Sequence, residues 1–151
     1  MKRAKLHELL RALSSAFQTR DAEALITLFS ATPDVTYAGS ESGEKATGQA
    51  DLRRLLSDLL SRPMAYSFEF NDLTFSEHSG MVWLLADGHG AETGDDGTTE
   101  TFPYRLTGLL AHEEAHWRWL MLAGSEPTPA AVSRGLSFST AGSSRSWAPP
   151  A

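Results

Sequence analysis

The sequence predicts an α+β fold, with N-terminal helices packed against one face of a strongly curved antiparallel sheet. Three observations lead there. Apolar residues recur at helical spacing in three segments before Pro63. Beyond it the apolar period falls to two. Helices grouped ahead of strands, rather than alternating with them, argue for one helical layer on one sheet.

The first stripe is Leu6, Leu9, Leu10, Leu13 and Phe17, which predicts a helix over about 3–18. Asp21 is a suitable N-cap for a second, shorter helix carrying Ala24, Leu25, Leu28 and Phe29. Pro33 ends it, because the residue before a proline avoids helical backbone. "VTYAGS" reads as a short strand and "GSESGEKATG" as a polar loop. "QADLRRLLSDLLSRP" gives the third helix, with Leu52, Leu55, Leu56, Leu59 and Leu60 on one face and Pro63 as its stop. "YSFEFNDLTFSEH" then alternates, with Phe68 and Phe70 opposed by Ser67 and Glu69. "GMVWLLADGHGAE" follows a Ser-Gly turn as the next strand. "TFPYRLTGLLA" and "WRWLMLA" complete the meander, Pro103 suggesting an edge or bulge. In "TGDDGTTE" the glycine comes too early for a calcium loop, and a solvated turn is expected. One domain is expected over residues 1–128, and a Ser/Ala/Pro-rich flexible tail over 129–151.

Composition bounds the function. At 151 residues the chain has the length of one ordinary domain, and its net charge of −6 favours neither nucleic acid nor an anionic membrane surface. No cysteine is present, which removes disulfides, thiolate metal sites and a cysteine nucleophile. No segment approaches the length of a membrane span, and no signal-type apolar region follows the basic start. The reading is a soluble, cytoplasmic protein with no cofactor.

"HEEAH" (112–116) matches the zinc-hydrolase pattern H-E-x-x-H. That chemistry needs a helix presenting His112 and His116 to one metal, Glu113 as base, and a third ligand. No histidine follows His116, and the only downstream carboxylate, Glu126, lies in a turn-like segment. A β-hairpin with "HEEAH" as its charged tip is the favoured reading.

Several segments together resemble a SnoaL-like protein of the nuclear transport factor 2 superfamily. These are "AFQTRDAEALITLFSATPDVTYAGS", the glycine-marked "GEKATGQADLRRLLSDLL", and the closing "YRLTGLLAHEEAHWRWLMLAGSEP". In the last, Arg105 and Thr107, Trp117 and Arg118, and Ser125 and Pro127 fall at the family's positions. The resemblance implies a cone-shaped α+β barrel enclosing one cavity, and a homodimer associating through its sheet. It leaves activity open among isomerases, dehydratases, cyclases, hydrolases and plain binding or association domains. Relatives often carry histidines at the positions of Met121 and Ala123; this chain has none there.

A tight closing hairpin pairs Trp117 with Leu110, Trp119 with Gly108, and Met121 with Leu106. It gives the cavity Tyr37, Trp83, Tyr104, Gly108, Trp117, Trp119 and Met121. Those residues suit either a pocket for a small hydrophobic ligand or a plain packed core. Asp87 and His89 share a strand face with Trp83, and a pair two apart can serve acid–base chemistry on a carbonyl or polycyclic substrate. A solvated loop is the other reading of the same segment. Three functions are therefore carried forward: ligand binding, an isomerase, cyclase or lyase using Asp87 and His89, and an association domain.

Overall fold

A computed structural model describes residues 1–129. The tail expected from residue 129 onward lies, beyond Pro129, outside the described residues. Three helices, α1 (Arg3–Gln18), α2 (Ala22–Thr27) and α3 (Gln49–Leu60), cover a six-stranded sheet. Its strands are β1 (Thr36–Ala38), β2 (Lys45–Thr47), β3 (Met64–His78), β4 (Met81–Gly94), β5 (Thr99–Glu113) and β6 (His116–Ser125), ordered β2-β1-β6-β5-β4-β3. The sheet is open and mixed rather than wholly antiparallel, because β1 runs parallel to β6.

The local causes are the expected ones. Leu6, Leu10, Leu13 and Phe17 form the buried stripe of α1. Asp21 caps α2 by accepting from the Ala24 amide at 2.9 Å. Gly48, at φ 83°, turns the chain into α3 in a conformation open to glycine. Arg20, left-handed at the end of α1, donates from Nε to the Leu60 carbonyl at 3.1 Å and from Nη2 to the Arg62 carbonyl, capping the end of α3. Ser14 Oγ accepts the Phe68 amide at 2.8 Å, pinning β3 to α1.

"GSESGEKATG" is not simply a loop. Lys45–Thr47 forms β2, which pairs with β1. Ala46 is its one buried residue, so three residues give no period for a sequence reading to detect.

"HEEAH" is the hairpin tip. His112 pairs with Trp117 and Glu113 with His116, so the two histidines point to opposite faces. One metal cannot take both. Glu114 and Ala115 make the turn, with φ of 46° and 67°.

The hairpin's register corrects the expected one: with the turn at Glu114–Ala115, Trp117 meets His112 and not Leu110, and Trp119 meets Leu110 and not Gly108. Gly108 pairs with Leu122 and Leu109 with Met121, but Leu110 pairs with Trp119, leaving Leu120 as the extra residue of a bulge. Trp119 explains it. Its amide donates to the Leu28 carbonyl and its carbonyl accepts the Ser30 amide, both at 2.8 Å, which fixes that residue against the end of α2. From the bulge onward the faces exchange. Trp119 and Leu122 point inward, whereas Met121 turns to the outer face beside Leu109.

The two-residue turn generates a test. Two consecutive left-handed residues match a type I′ hairpin turn, for which neither glutamate nor alanine is suited. Ala115→Gly removes the left-handed penalty of roughly 1 kcal/mol, less the added freedom of the unfolded chain. Urea denaturation should show an unchanged or higher midpoint. A loss above about 1 kcal/mol would contradict the turn.

Candidate functional site

The inward faces of the long strands carry aromatic side chains at one end of the sheet. β3 contributes Tyr66 and Phe68, β5 contributes Phe102 and Tyr104, β1 contributes Tyr37, and Phe17 descends from α1. Phe68 lies 4.7 Å from Tyr104 and 5.4 Å from Phe17 between ring centroids, the latter edge to face. Phe102 meets Tyr104 at 6.0 Å. Such geometries add to the burial of each ring.

Glycines make room for these rings. A Cβ on Gly90 would fall 2.3 Å from the Phe102 ring, and one on Gly124 would fall 1.8 Å from the Tyr104 hydroxyl. The cluster is not filled to the centre: a cavity of about 260 Å³ remains. That is small beside the roughly 300–1,000 Å³ of drug-sized sites, so it suits a molecule of one or two rings.

Three polar groups meet this cavity from within. Tyr37 is 3% exposed and Tyr104 7%, and neither phenol makes a hydrogen bond among the described residues. The third is Glu44, 8% exposed. The β1–β2 turn places it: the Gly39 amide donates to the Glu44 carbonyl at 2.7 Å, and the carboxylate folds over Gly39, where a Cβ would lie 1.8 Å from Oε2. Arg62 Nη1 stands 3.4 Å from Glu44 Oε1 and 3.3 Å from Glu41 Oε2.

Burial pushes the Glu44 carboxyl above the usual carboxylate range; the Glu41 amide and Arg62 offset this only in part. Burial also raises Tyr37, helped by the neighbouring Tyr104 and Glu44. Tyr104 is raised by burial first and by the charges of Glu44 and Glu126 next. The site holds a carboxyl that gives up its proton reluctantly, beside two phenols that stay neutral.

Of the residues expected at a pocket, Tyr37 and Tyr104 line this one. Gly108 and Trp119 face inward but pack on each other, with Trp119 Cζ3 2.4 Å from where a Gly108 Cβ would sit. Trp119 is core, and its Nε1 is buried without a partner among the described residues. Trp117 lies at the far hairpin, its ring 5.0 Å from His112. Trp83 and Met121 are on the outer face. So are Asp87 and His89, because in β4 Val82, Leu84 and Ala86 take the inward positions. Asp87 accepts from Arg105 Nε at 2.6 Å and Nη2 at 2.8 Å, which holds its carboxyl below the ordinary value. The sheet therefore does not bring that pair to the cavity. The sequence reading does not place Phe68, Tyr66, Phe102 or Glu44 at the pocket. The aromatic alternation of β3 and β5 carried a signal for the first three; nothing marked Glu44.

Comparison with known proteins follows the same outline. The SnoaL-like domain family matches residues 6–129. No curated protein sequence matches the chain. Among solved structures, a nuclear transport factor 2-like superfamily protein from Salmonella enterica serovar Typhimurium superposes with a TM-score of 0.72 at 14% identity, covering 87% of this chain and 95% of the other. A ketosteroid isomerase-like protein from Erwinia carotovora gives 0.65 at 18% identity, covering 83% and 96%. ActVI-ORFA from Streptomyces coelicolor gives 0.68 at 16% identity, covering 82% and 95%. At these identities the superpositions show the shared cone-shaped α+β fold.

The raised Glu44 carboxyl makes stability depend on pH. A group whose folded pKa lies above its unfolded one binds more protons when folded. Stability is then lost as pH rises from about 4.3 through the folded value. Glu44→Gln should melt at a higher temperature than the parent at pH 7, and the two should converge below about pH 4. A lower Tm for the variant at pH 7 would mean that the Arg62 ion pair outweighs the burial.

Proposed function

The chain belongs to the SnoaL-like domain family, and we propose that its cavity binds a small ring-bearing organic molecule, with a polar atom of the ligand at the Tyr37 and Tyr104 hydroxyls. One observation carries this: two buried phenols open onto an aromatic-walled space and make no hydrogen bond among the described residues. A ligand atom that bonds either hydroxyl adds a hydrogen bond worth roughly 1 kcal/mol.

The test uses a convenient fact. The chain has three tyrosines, and all three line the cavity. Protein labelled with meta-fluorotyrosine therefore reports on the cavity alone in a fluorine NMR spectrum. Titration with 2-naphthol should shift these resonances saturably. Tyr37→Phe and Tyr104→Phe should each weaken binding about fivefold, the worth of roughly one hydrogen bond. Resonances that stay still to the solubility limit of the probe would remove the reading.

A second reading, catalysis, is favoured by Glu44. In the isomerase, cyclase or lyase alternative the proton-exchanging group becomes Glu44 in place of Asp87 and His89. A desolvated carboxyl beside two neutral phenols suits proton transfer at a carbon next to a carbonyl.

Association belongs to the outer face. There Trp83 is 48% exposed, and Met81 and Leu85 flank it on the same strand face. An apolar strip of this kind supports a homodimer through the sheet. Sedimentation should find a dimer for the parent chain and a monomer for Trp83→Glu. A monomeric parent at micromolar concentration would remove the dimer.

A further inference from the structure

The charged side chains that line the cavity are all acidic. Glu41, Glu44, Glu92, Glu100 and Glu126 line it, and no lysine, arginine or histidine does. Arg62, just outside, pairs with Glu41 and Glu44. Glu92, Glu100 and Glu126 have no ion pair among the described residues. Glu92 and Glu100 are moreover direct partners across the β4–β5 ladder. Like charges facing each other at that spacing destabilise a sheet, and here they stand at the end that opens onto the aromatic cluster.

The carboxylates are spread around the wall and do not converge. Among the described residues no group of three or more histidine, aspartate or glutamate side chains is placed to hold a metal ion. What they surround is a cluster of aromatic rings. Tyr66, Phe68, Phe102 and Tyr104 line it, and the faces of such rings attract cations. Ring faces inside and unpaired carboxylates at the rim favour the same sign of charge. The field of the rim also raises the local concentration of a positive ligand and repels a negative one.

We propose that the ligand of this cavity is a small organic cation, an amine or quaternary ammonium carried on one or two rings. This inference rests on the reading that the cavity binds a ligand, and adds the ligand's charge. The cationic nitrogen sits against the Tyr104 and Tyr66 rings, within reach of the Glu44 carboxylate. The Glu92–Glu100 pair draws it in from the rim. An anionic metabolite, such as a carboxylate or phosphate ester, is disfavoured by the three unpaired carboxylates.

A matched pair of probes separates charge from shape. Phenyltrimethylammonium and tert-butylbenzene have nearly the same outline and differ by one positive charge. Each is titrated into the meta-fluorotyrosine-labelled chain. The cation is expected to bind at least tenfold more tightly than the hydrocarbon, with an advantage that shrinks as salt rises. The Glu92→Gln/Glu100→Gln double variant should lose most of that salt-dependent part. It removes a repulsion between a half-buried and an exposed side chain, so it should fold at least as well as the parent. Glu44→Gln should lose the remainder. Equal or tighter binding of tert-butylbenzene overturns the cation and leaves the cavity a ligand site. Failure of both probes, and of 2-naphthol, to move any of the three resonances overturns the ligand site as well. A cation preference unchanged in both variants would also sink the proposal, because the carboxylates would not be its source.

Discussion

The backbone of Trp119 holds this fold together at the point where helices meet sheet. Its amide and carbonyl are both engaged by the end of α2, through Leu28 and Ser30. Its side chain covers Gly108 on the neighbouring strand. A residue fixed on both sides cannot follow the plain alternation of its strand, and the ladder absorbs the mismatch as a bulge at Leu120. From that bulge the last strand turns Leu122 inward, against Tyr37 of β1 in the parallel pairing. The sheet end that carries the cavity is thus set by a hydrogen-bonded clamp some residues away. Gly124, two positions on, then leaves the space that the Tyr104 hydroxyl occupies.

Much of the fold was legible because it is written in repeated patterns. The helical stripes of α1 and α3 gave those elements to within a residue or two, since each buries one continuous apolar face. The two arms of the closing hairpin were readable from alternation, and its tip from the lack of a third metal ligand. The register was not. The expected pairing turns the chain about Glu113 and Glu114, whereas the turn is Glu114–Ala115, so the ladder is two residues out from its start, and the bulge at Leu120, set by the contact of α2 with Trp119, adds a third. That one residue moved Met121 to the outer face.

The site was legible only in part, for a different reason. Tyr37 and Tyr104 were found because aromatic residues on inward positions go where the core goes. Asp87 and His89 were weighed because their chemistry is conspicuous, yet inward and outward positions on β4 are decided by Val82, Leu84 and Ala86. Those three small and apolar side chains hold the core face, so the charged pair must face out, where Arg105 meets Asp87. Glu44 carried no pattern at all. It lies beside a three-residue strand, and its burial follows from a turn that folds it over Gly39.

Several of the costs in this structure gather in one place. Elsewhere, Ser30 bonds Glu113 and Thr32 and Ser14 takes the Phe68 amide, while Trp119 Nε1 is buried without a partner among the described residues. Around the cavity such lapses recur. A carboxyl is held against burial, two phenols lack partners among the described residues, and two glutamates face each other across a ladder. None of these helps the chain fold, and each is a feature that a core selected for stability alone would replace. Local violations of otherwise consistent rules mark the part of a fold kept for something other than folding. Here they share one end of the sheet, one aromatic box and one sign of charge. That coincidence distinguishes a site from a packing defect, since a defect has no reason to select the same chemistry five times along four separate segments.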